Sequence, residues 1–433
     1  MAAAASGDSI AVLEGDYADN VAVSKSITLL GGFAGTFATR DPAGHVTTIR
    51  PTSAGPMNAP IIGLSSGSLV LDGLSLVEGQ NNDHGGGVRV DGGTARIQNC
   101  VIARNNAFFT GGGIYIHGGA SVTLIGTRIE DNTVGGQDNC AGAGITVESS
   151  TVTLRDSTIQ RNRILQNMGS GGGMVLVDSV ATLTNNQIQN NHAADQGQVG
   201  SGGGIATFRS QVTINGGTIS HNDVGNTTGT GAGLDLIGGS VRLDGVTITS
   251  NATGALAGGG AGAIHAAGTK LILTSSVIAS NIGNAGAIVA DPQGSTAIVN
   301  CTIADNTARG ILASSTLTLV NSVLLRNGVG LELSQSPQTI IQQNAFFGNT
   351  TNAVGTTLPA SNLTVDPRID GTLHLMADSP LIDTGMAGPI STPDTTAPPV
   401  DPPSKDIDGD PRVVMGKTSL LPDIGADEYR PMR

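Results

Sequence analysis

Short runs of alternating polar and apolar residues recur along most of the chain, separated by turn-forming residues. In residues 121–150 the runs are Ser121-Val122-Thr123-Leu124, Thr127-Arg128-Ile129 and Gly144-Ile145-Thr146-Val147-Glu148. Alternation with a period of two is typical of a half-buried β-strand. The same order of runs begins again at residues 151, 181, 211 and 241, and helical periodicity is absent. The pattern therefore predicts an all-β chain with about three short strands in each repeat.

One position is shared by ten repeats: an aliphatic or Phe residue is followed, three positions later, by Asn. The pairs are Ile102/Asn105, Ile129/Asn132, Ile159/Asn162, Ile188/Asn191, Ile219/Asn222, Ile248/Asn251, Ile278/Asn281, Ile303/Asn306, Leu324/Asn327 and Phe346/Asn349. Their spacing is about 30 residues, and a repeat of this length indicates a solenoid. Three strands per turn, each pairing with its equivalent in the next turn, predict a right-handed parallel β-helix. We expect the asparagines to point inward and to hydrogen-bond to one another as a ladder.

The pattern is less regular at both ends of the chain. Residues 1–67 are expected to form irregular N-terminal coils and a cap, and residues 68–350 the regular array. Residues 351–433 are expected to form C-terminal coils, a Pro-rich segment and an acidic closing module.

Composition narrows what the array contains and what it binds. Gly accounts for 64 of 433 residues, aromatic residues for 2%, and Trp is absent. An aromatic core is therefore excluded. The formal net charge of -13 argues against nucleic acid or an anionic membrane as a partner. No apolar run reaches the roughly 20 residues of a transmembrane helix. Cys100 and Cys301 share one repeat position with small residues, which predicts a packing role.

Glycine motifs pair with the asparagine motif in a way that resembles a known group. Gly-Gly-Gly-Ile or Gly-Ala-Gly-Ile followed by Ile-x-x-Asn resembles the repeats of polymorphic outer-membrane proteins. Ala261-Gly262-Ala263-Ile264 and Phe346-Phe347-Gly348-Asn349 come nearest to their motifs. More broadly, the chain resembles the pectin-lyase-like right-handed β-helix superfamily. That scaffold carries lyases, hydrolases, epimerases and adhesins, so the resemblance implies a fold and leaves the activity open.

The two ends also resemble bacterial surface proteins with this fold. Gly7-Asp8-Ser9-Ile10 resembles their usual opening. Asp378-Ser379-Pro380-Leu381, Asp406-Ile407-Asp408-Gly409-Asp410 and Asp423-Ile424-Gly425-Ala426 resemble their closing module. This likeness implies export or surface display. The first residues lack the basic and long apolar regions of a signal peptide, so we expect an export signal to have been removed.

Equivalent strand positions place one group of polar residues on neighbouring coils. Arg89, Asp91, Tyr115, His117 and Glu148 are expected to form a single patch. A polysaccharide lyase needs a group that neutralises the sugar carboxylate, a base and an acid, and Arg89, His117 and Tyr115 fit these roles. A glycosidase instead needs two carboxylates, for which Asp91 and Glu148 are candidates. An ordinary solvated face is the alternative to both.

Further candidate residues lie in loops and in the tail. Phe108, Phe109, His192 and Asp195 are candidates for ligand binding, because loops projecting from one side of a solenoid often carry specificity. Asp91 of the patch and His221, in the column just before the ladder asparagines, are further binding candidates. The Phe residues could equally cover the edge of the helix. Alternating Asp406, Asp408 and Asp410 resembles a calcium-binding pattern, although the remainder of an EF-hand loop is missing. Calcium is therefore the one cofactor that the sequence suggests, and a capped acidic turn is the alternative.

These observations predict an exported or cell-surface protein that binds glycans or a neighbouring surface, as an adhesin does. The alternative is a polysaccharide lyase or glycoside hydrolase acting on an extracellular polysaccharide. A minor alternative is ice binding, because Thr123, Thr153, Thr182 and Thr213 share one outward position. The expected partner is a polysaccharide or cell-surface glycan.

Overall fold

The computed structural model describes residues 3–52, 58–136, 140–195, 199–225, 229–254, 260–393, 398–412, 416 and 419–430. Among these residues every regular element is a β-strand, and the strands pair in parallel across successive coils. The chain forms two compact units. The N-terminal unit comprises Met1–Val212 with Asn222–Asn226, and the C-terminal unit Thr213–His221 with Thr227–Arg433. The strand Gln211–Asn215 contains the boundary.

In the N-terminal unit each coil contributes one strand to each of three sheets. Sheet 1 contains Ser9–Leu13, Ile27–Phe33, Ser68–Asp72, Thr94–Gln98, Ser121–Ile125, Thr151–Arg155 and Val180–Thr184. Sheet 2 contains Gly15–Ala18, Thr47–Arg50, Leu74–Val77, Val101–Ala103, Arg128–Glu130, Thr158–Gln160 and Gln187–Gln189. Sheet 3 contains Val21–Val23, Ile62–Leu64, Val88–Val90, Ile114–Ile116, Ile145–Glu148, Met174–Val177 and Ile205–Phe208.

Two smaller sheets form where the loops after sheet 2 stack on one another. One contains Gln80–Asn81, Asn106–Ala107, Thr133–Val134 and Arg163–Ile164. The other contains Cys140–Ala141, Met168–Ser170 and Val199–Ser201.

The C-terminal unit repeats the same three-sheet order. Its sheet 1 contains Ser240–Asp244, Lys270–Thr274, Ser295–Val299, Thr316–Val320 and Thr339–Gln342. Its sheet 2 contains Thr218–Ser220, Thr247–Thr249, Val277–Ala279, Thr302–Ala304, Val323–Leu325 and Ala345–Phe347. Its sheet 3 contains Leu234–Ile237, Ala261–Ala267, Gly286–Ala290, Arg309–Ala313, Val329–Leu333 and Thr351–Val354.

Equivalent aliphatic residues stack in register and fill the interior of each unit. In sheet 2, Ile102 pairs with Ile129, Ile129 with Ile159, and Ile159 with Ile188. All four are fully buried. Burying one such side chain stabilises the fold by about 1.5–3 kcal/mol. The predicted all-β fold, a parallel β-helix with three strands per coil, is therefore confirmed.

The predicted asparagine ladder is present in both units. Asn105, Asn132, Asn162, Asn191 and Asn222 form it in the N-terminal unit. Each of the first four donates its backbone N–H and its side-chain Nδ2–H to Oδ1 of the next, at 2.9–3.1 Å. In the C-terminal unit the ladder contains Asn251, Asn281, Asn306, Asn327 and Asn349, with distances of 2.9–3.2 Å. All of these asparagines except the half-buried Asn349 are buried, so their bonds also satisfy groups that water cannot reach.

The residue before each ladder asparagine turns the chain inward. Asp131 has φ 56° and Arg161 has φ 53°, so both adopt the left-handed conformation. Arg161 donates to both carboxylate oxygens of Asp131, at 2.8 and 2.9 Å. An ion pair therefore joins adjacent coils at this position. Both partners are largely exposed, so its contribution to stability is small.

Glycine is required where a loop lies directly on sheet 3. Gly111 has φ 65°, and a Cβ built there would lie 2.9 Å from Cβ of Tyr115. The glycine before each sheet 3 strand therefore allows the loop to cover that strand. As a result the outward position occupied by Tyr115, Thr146 and Val175 is buried.

The remaining described residues after Val354 contain only isolated bridges. Ile390 and Val400 exchange two backbone hydrogen bonds of 2.8 Å and pack on Ala297 and Val320 of sheet 1. In the closing module Arg412 is buried, and it donates to Ser275 Oγ and to the backbone carbonyl of Gly425.

Candidate functional site

The five residues predicted to form a patch do meet on sheet 3 of the N-terminal unit. Arg89 and Tyr115 are register partners on adjacent strands. Asp91 Oδ1 accepts a hydrogen bond from Arg89 Nε at 2.7 Å and lies 2.6 Å from His117 Nε2. Glu148 Oε2 accepts the Tyr115 hydroxyl at 2.8 Å. One carboxylate therefore orients both the guanidinium and the imidazole.

Two residues of this site were not predicted, Asp83 and His84. Asp83 Oδ2 accepts a second hydrogen bond from Arg89, at 2.6 Å from Nη1. The His84 ring stacks on Tyr115, with centroids 4.7 Å apart and planes at 20°. Both residues precede the glycine triplet at Gly85. His84 bridges to Thr110 on the next coil, and its side chain reaches Tyr115 because the loop folds back over the strand.

Tyr115 lies beneath the surface, with 6% of its area exposed. Its burial, and then its hydrogen bond to Glu148, raise the pKa of Tyr115 well above its ordinary value. The hydroxyl proton is directed at Glu148, and the ring is covered by His84 and lies 5.8 Å from the Arg89 guanidinium carbon. This arrangement disfavours the predicted role of Tyr115 as an acid. The Tyr115 ring instead supports the His84 ring that stacks on it.

The pKa values of His84 and Arg89, whose side chains lie against the Tyr115 ring, are shifted for different reasons. Burial lowers the pKa of His84, so its ring is more often neutral near neutral pH. Burial acts to lower the pKa of Arg89 as well, but the hydrogen bonds that Arg89 donates to Asp91 and Asp83 outweigh it and raise that pKa. The guanidinium therefore keeps its charge while two carboxylates hold it in place.

The two predicted phenylalanines have different surroundings. The exposed Phe109 packs against His84, with ring centroids 5.4 Å apart. The Phe108 ring lies against Gly136, where a Cβ would approach it to 2.2 Å, so it covers the edge of the neighbouring coil. We refer to Asp83, His84, Arg89, Asp91, Phe109 and His117 together as the histidine face.

The other predicted histidines belong to different surroundings. His192 contacts Asp223 through Nδ1, and Asp195 accepts a hydrogen bond from Arg163 Nε at 2.6 Å. Burial acts to lower the pKa of His192, but Asp223 and Asp195 outweigh it and raise that pKa. His221 lies in the C-terminal unit, exposed, at a left-handed turn.

A second histidine site on sheet 3 was not predicted as a cluster. In the C-terminal unit, His265 Nδ1 lies 2.5 Å from Asp235 and its Nε2 lies 2.9 Å from Asp291. Burial alone would lower the pKa of His265, but Asp235 and then Asp291 raise it to about 9. We call Asp235, His265 and Asp291 the histidine clamp.

The three aspartates predicted to bind calcium have separate partners. Asp406 Oδ1 accepts backbone N–H groups from Asp408 and Asp410, at 3.0 and 2.8 Å. Asp408 lies 2.9 Å from His374 Nε2, and Asp410 pairs with Arg430. These contacts form a capped acidic turn, and a calcium ion would have to compete with the backbone for Asp406. Calcium binding stays a prediction.

The fold and the surface just described define a parallel β-helix protein with a polar face on sheet 3. Residues 77–251 and 203–367 match the family described as the right handed beta helix region. These overlapping matches cover more than half of the chain, so the protein belongs to that family. No curated protein sequence matches the chain. Among the described residues no helix is long and apolar enough to cross a membrane.

One similar solved structure is titled "Crystal structure of pectate lyase Pel9A". It is 15% identical, and the comparison covers 99% of this chain and 90% of that chain with a TM-score of 0.38. At this TM-score the likeness carries no conclusion about activity.

Proposed function

We propose that this protein is exported and binds glycans through the histidine face. The observation that carries the proposal is the exposed Phe109 ring packed against His84, which in turn stacks on the buried Tyr115, with Arg89 and Asp91 beside them. Flat rings offer an apolar surface to the C–H faces of a sugar. Charged groups beside them donate and accept hydrogen bonds with its hydroxyls. Export rests on the resemblance of both ends of the chain to bacterial surface proteins.

The histidine face is pre-organised, which favours binding. Arg89 has 25% of its side chain exposed and is fixed by two carboxylates, so little side-chain entropy is lost when a ligand binds. His117 is 34% exposed and is fixed by Asp91. A ligand therefore meets donors and acceptors that already have their bound positions.

The binding test compares two variants with the unchanged protein on panels of neutral and anionic polysaccharides. Phe109→Ala removes the exposed ring and is expected to weaken binding about tenfold, since stacking of this kind contributes roughly 1–1.5 kcal/mol. Arg89→Gln should weaken binding to anionic polymers more than to neutral ones. Arg209→Gln is the control, because this exposed arginine also pairs with an aspartate but lies away from the face. Equal binding by all four proteins would refute the proposal.

A second function, polysaccharide lyase activity, is favoured by one observation: the contact between His117 and Asp91. A carboxylate 2.6 Å from one imidazole nitrogen leaves the other nitrogen to accept a proton, as a general base does. Arg89 would neutralise the sugar carboxylate. The test is absorbance from unsaturated products and the release of new reducing ends. Turnover that His117→Gln abolishes would make the protein an enzyme, whereas binding without turnover supports the adhesin-like role.

A further inference from the structure

We propose that the C-terminal unit contains a separate binding pocket for a small monocarboxylate with an apolar body. The pocket is a cavity of about 200 Å³ between the outward face of sheet 1 and the Pro-rich segment of the tail. A cavity of this size suits one small molecule. It contains none of the residues of the histidine face.

The floor of the pocket contains basic and aliphatic side chains from successive strands of sheet 1. Arg242 pairs in register with Ile272, and Ile272 pairs with Ala297. Lys270 precedes Ile272 by two positions and therefore points to the same side of the sheet. The floor thus presents two cations next to Ile272 and Ala297, with the hydroxyl side chains of Ser295, Thr316 and Thr318 beside them.

The roof is apolar, and it is anchored at one point. Pro393, Pro398 and Pro399 line the cavity from above. Val400 follows them and is held by its paired backbone bonds to Ile390, which is fully buried on sheet 1. The backbone next to Pro398 and Pro399 is therefore tied to sheet 1.

The two cations of the floor lack a carboxylate partner among the described residues. Arginines on the surface are commonly paired with carboxylates, as Arg209 is with Asp178 and Arg326 with Asp305. Within the described part of the chain, Arg242 and Lys270 take part in no ion pair, and Arg242 makes one long hydrogen bond of 3.5 Å to Thr274. A protein with a net charge of -13 thus leaves two positive charges available at an apolar cavity.

Charge and shape together select the class of ligand. The guanidinium fork of Arg242 matches a carboxylate. Asp401 also lines the cavity and reduces its net positive charge, which favours an anion with one charge over phosphate. The prolines, Ile272 and Ala297 favour a ligand with an apolar body, because the few hydroxyl side chains of the lining cannot replace all the hydrogen bonds that a sugar makes with water.

The experiment measures binding of benzoate by calorimetry, with benzamide as its uncharged analogue and galacturonate as an acidic sugar. The double variant Arg242→Gln/Lys270→Gln should bind benzoate at least tenfold more weakly and benzamide within twofold of the unchanged protein. Ala297→Leu, which fills the floor, should abolish binding of both. Arg209→Gln is the matched control and should bind benzoate as the unchanged protein does. Far-UV circular dichroism confirms that each variant is folded.

Three results would overturn the inference. They are the absence of benzoate binding at millimolar concentrations, equal benzoate binding by the unchanged protein and the double variant, and tighter binding of galacturonate than of benzoate. Since the pocket and the histidine face share no residue, failure here leaves the glycan-binding test unaffected. Conversely, a Phe109→Ala variant should bind benzoate normally.

Discussion

The histidine face and the histidine clamp place the same pair of residue types on the same sheet, with different consequences. His117 lies 2.6 Å from Asp91, and His265 lies 2.5 Å from Asp235. In the first pair each side chain is 34% exposed, whereas in the second the values are 11% and 4%. His265 also has a carboxylate on its other nitrogen. Burial and that second partner convert a potential site into a structural contact.

The largest expected effect tests whether the asparagine ladder stabilises equally the unit with the histidine face and the unit with the histidine clamp. Asn132→Ala in the N-terminal unit and Asn281→Ala in the C-terminal unit each remove an acceptor of two buried hydrogen bonds. Each should lower the free energy of unfolding by about 3–4 kcal/mol, because several buried groups lose their partners. Urea denaturation followed by circular dichroism measures the loss.

The exposed Gln342→Ala serves as the control for the ladder and should change stability by less than about 0.5 kcal/mol. A large loss for only one of the two asparagines would show that the ladder stabilises the two units unequally.

The next effect separates the clamp from the face directly. Asp235→Ala leaves a buried imidazole without its nearer carboxylate and should cost about 3 kcal/mol. Asp91→Ala removes a partner that is one-third exposed, and the cost should stay below about 1 kcal/mol. Thermal and urea unfolding of both variants provide the comparison. If Asp91→Ala proved as destabilising as Asp235→Ala, the face would be a structural element as well.

A third change tests the cover over Tyr115. Gly111→Ala puts a Cβ into contact with Tyr115 and should cost about 2–3 kcal/mol, since it adds overpacking to a strained φ. Gly119→Ala is the matched control: its φ is 75°, but no atom lies within 4 Å of the added Cβ. It should cost about 1 kcal/mol. Equal costs would show that the close approach at Gly111 is unimportant.

The smallest effect concerns pH. The folded pKa of His265, about 9, exceeds its ordinary value of 6.5, so the folded state binds the proton more tightly than the unfolded state. The resulting stabilisation is complete below pH 6.5 and is lost as the pH rises through about 9. It amounts to roughly 2 kcal/mol after allowance for partial exposure. His265→Gln should lack this decline when the free energy of unfolding is measured between pH 6 and 9.5.

The sequence was sufficient to predict the helix and most of the histidine face. The ladder asparagines fix the register, and the register then places Arg89, Tyr115 and His117 on adjacent coils. The covering of Tyr115 could not be predicted, because strand alternation does not report a loop that folds back over the outward side. Asp83 and His84 were missed for a related reason, since they lie in an aperiodic loop before the glycines.

The contact between His265 and Asp235 shows that the burial of an outward strand position cannot be predicted from the alternation alone. His265 and Asp235 occupy strand positions that alternation assigns to the solvent side, yet both are buried. Their depth depends on the packing of loops around them, which the period-two pattern does not record. The predicted sugar-stacking role of Phe109 stays a prediction, although its exposure agrees with it.

The asparagine ladder has a consequence for how proteins of this kind change over evolutionary time. Each ladder asparagine accepts hydrogen bonds from the preceding coil and donates the same set to the following one, so the coils are equivalent in their ladder contacts. Duplication or loss of a whole coil would leave the ladder unbroken, and only the last member needs a special partner, as Asn349 has in Asn352. The number of coils can therefore change without breaking the ladder. A new surface can arise from an added coil instead of from changes within an existing one.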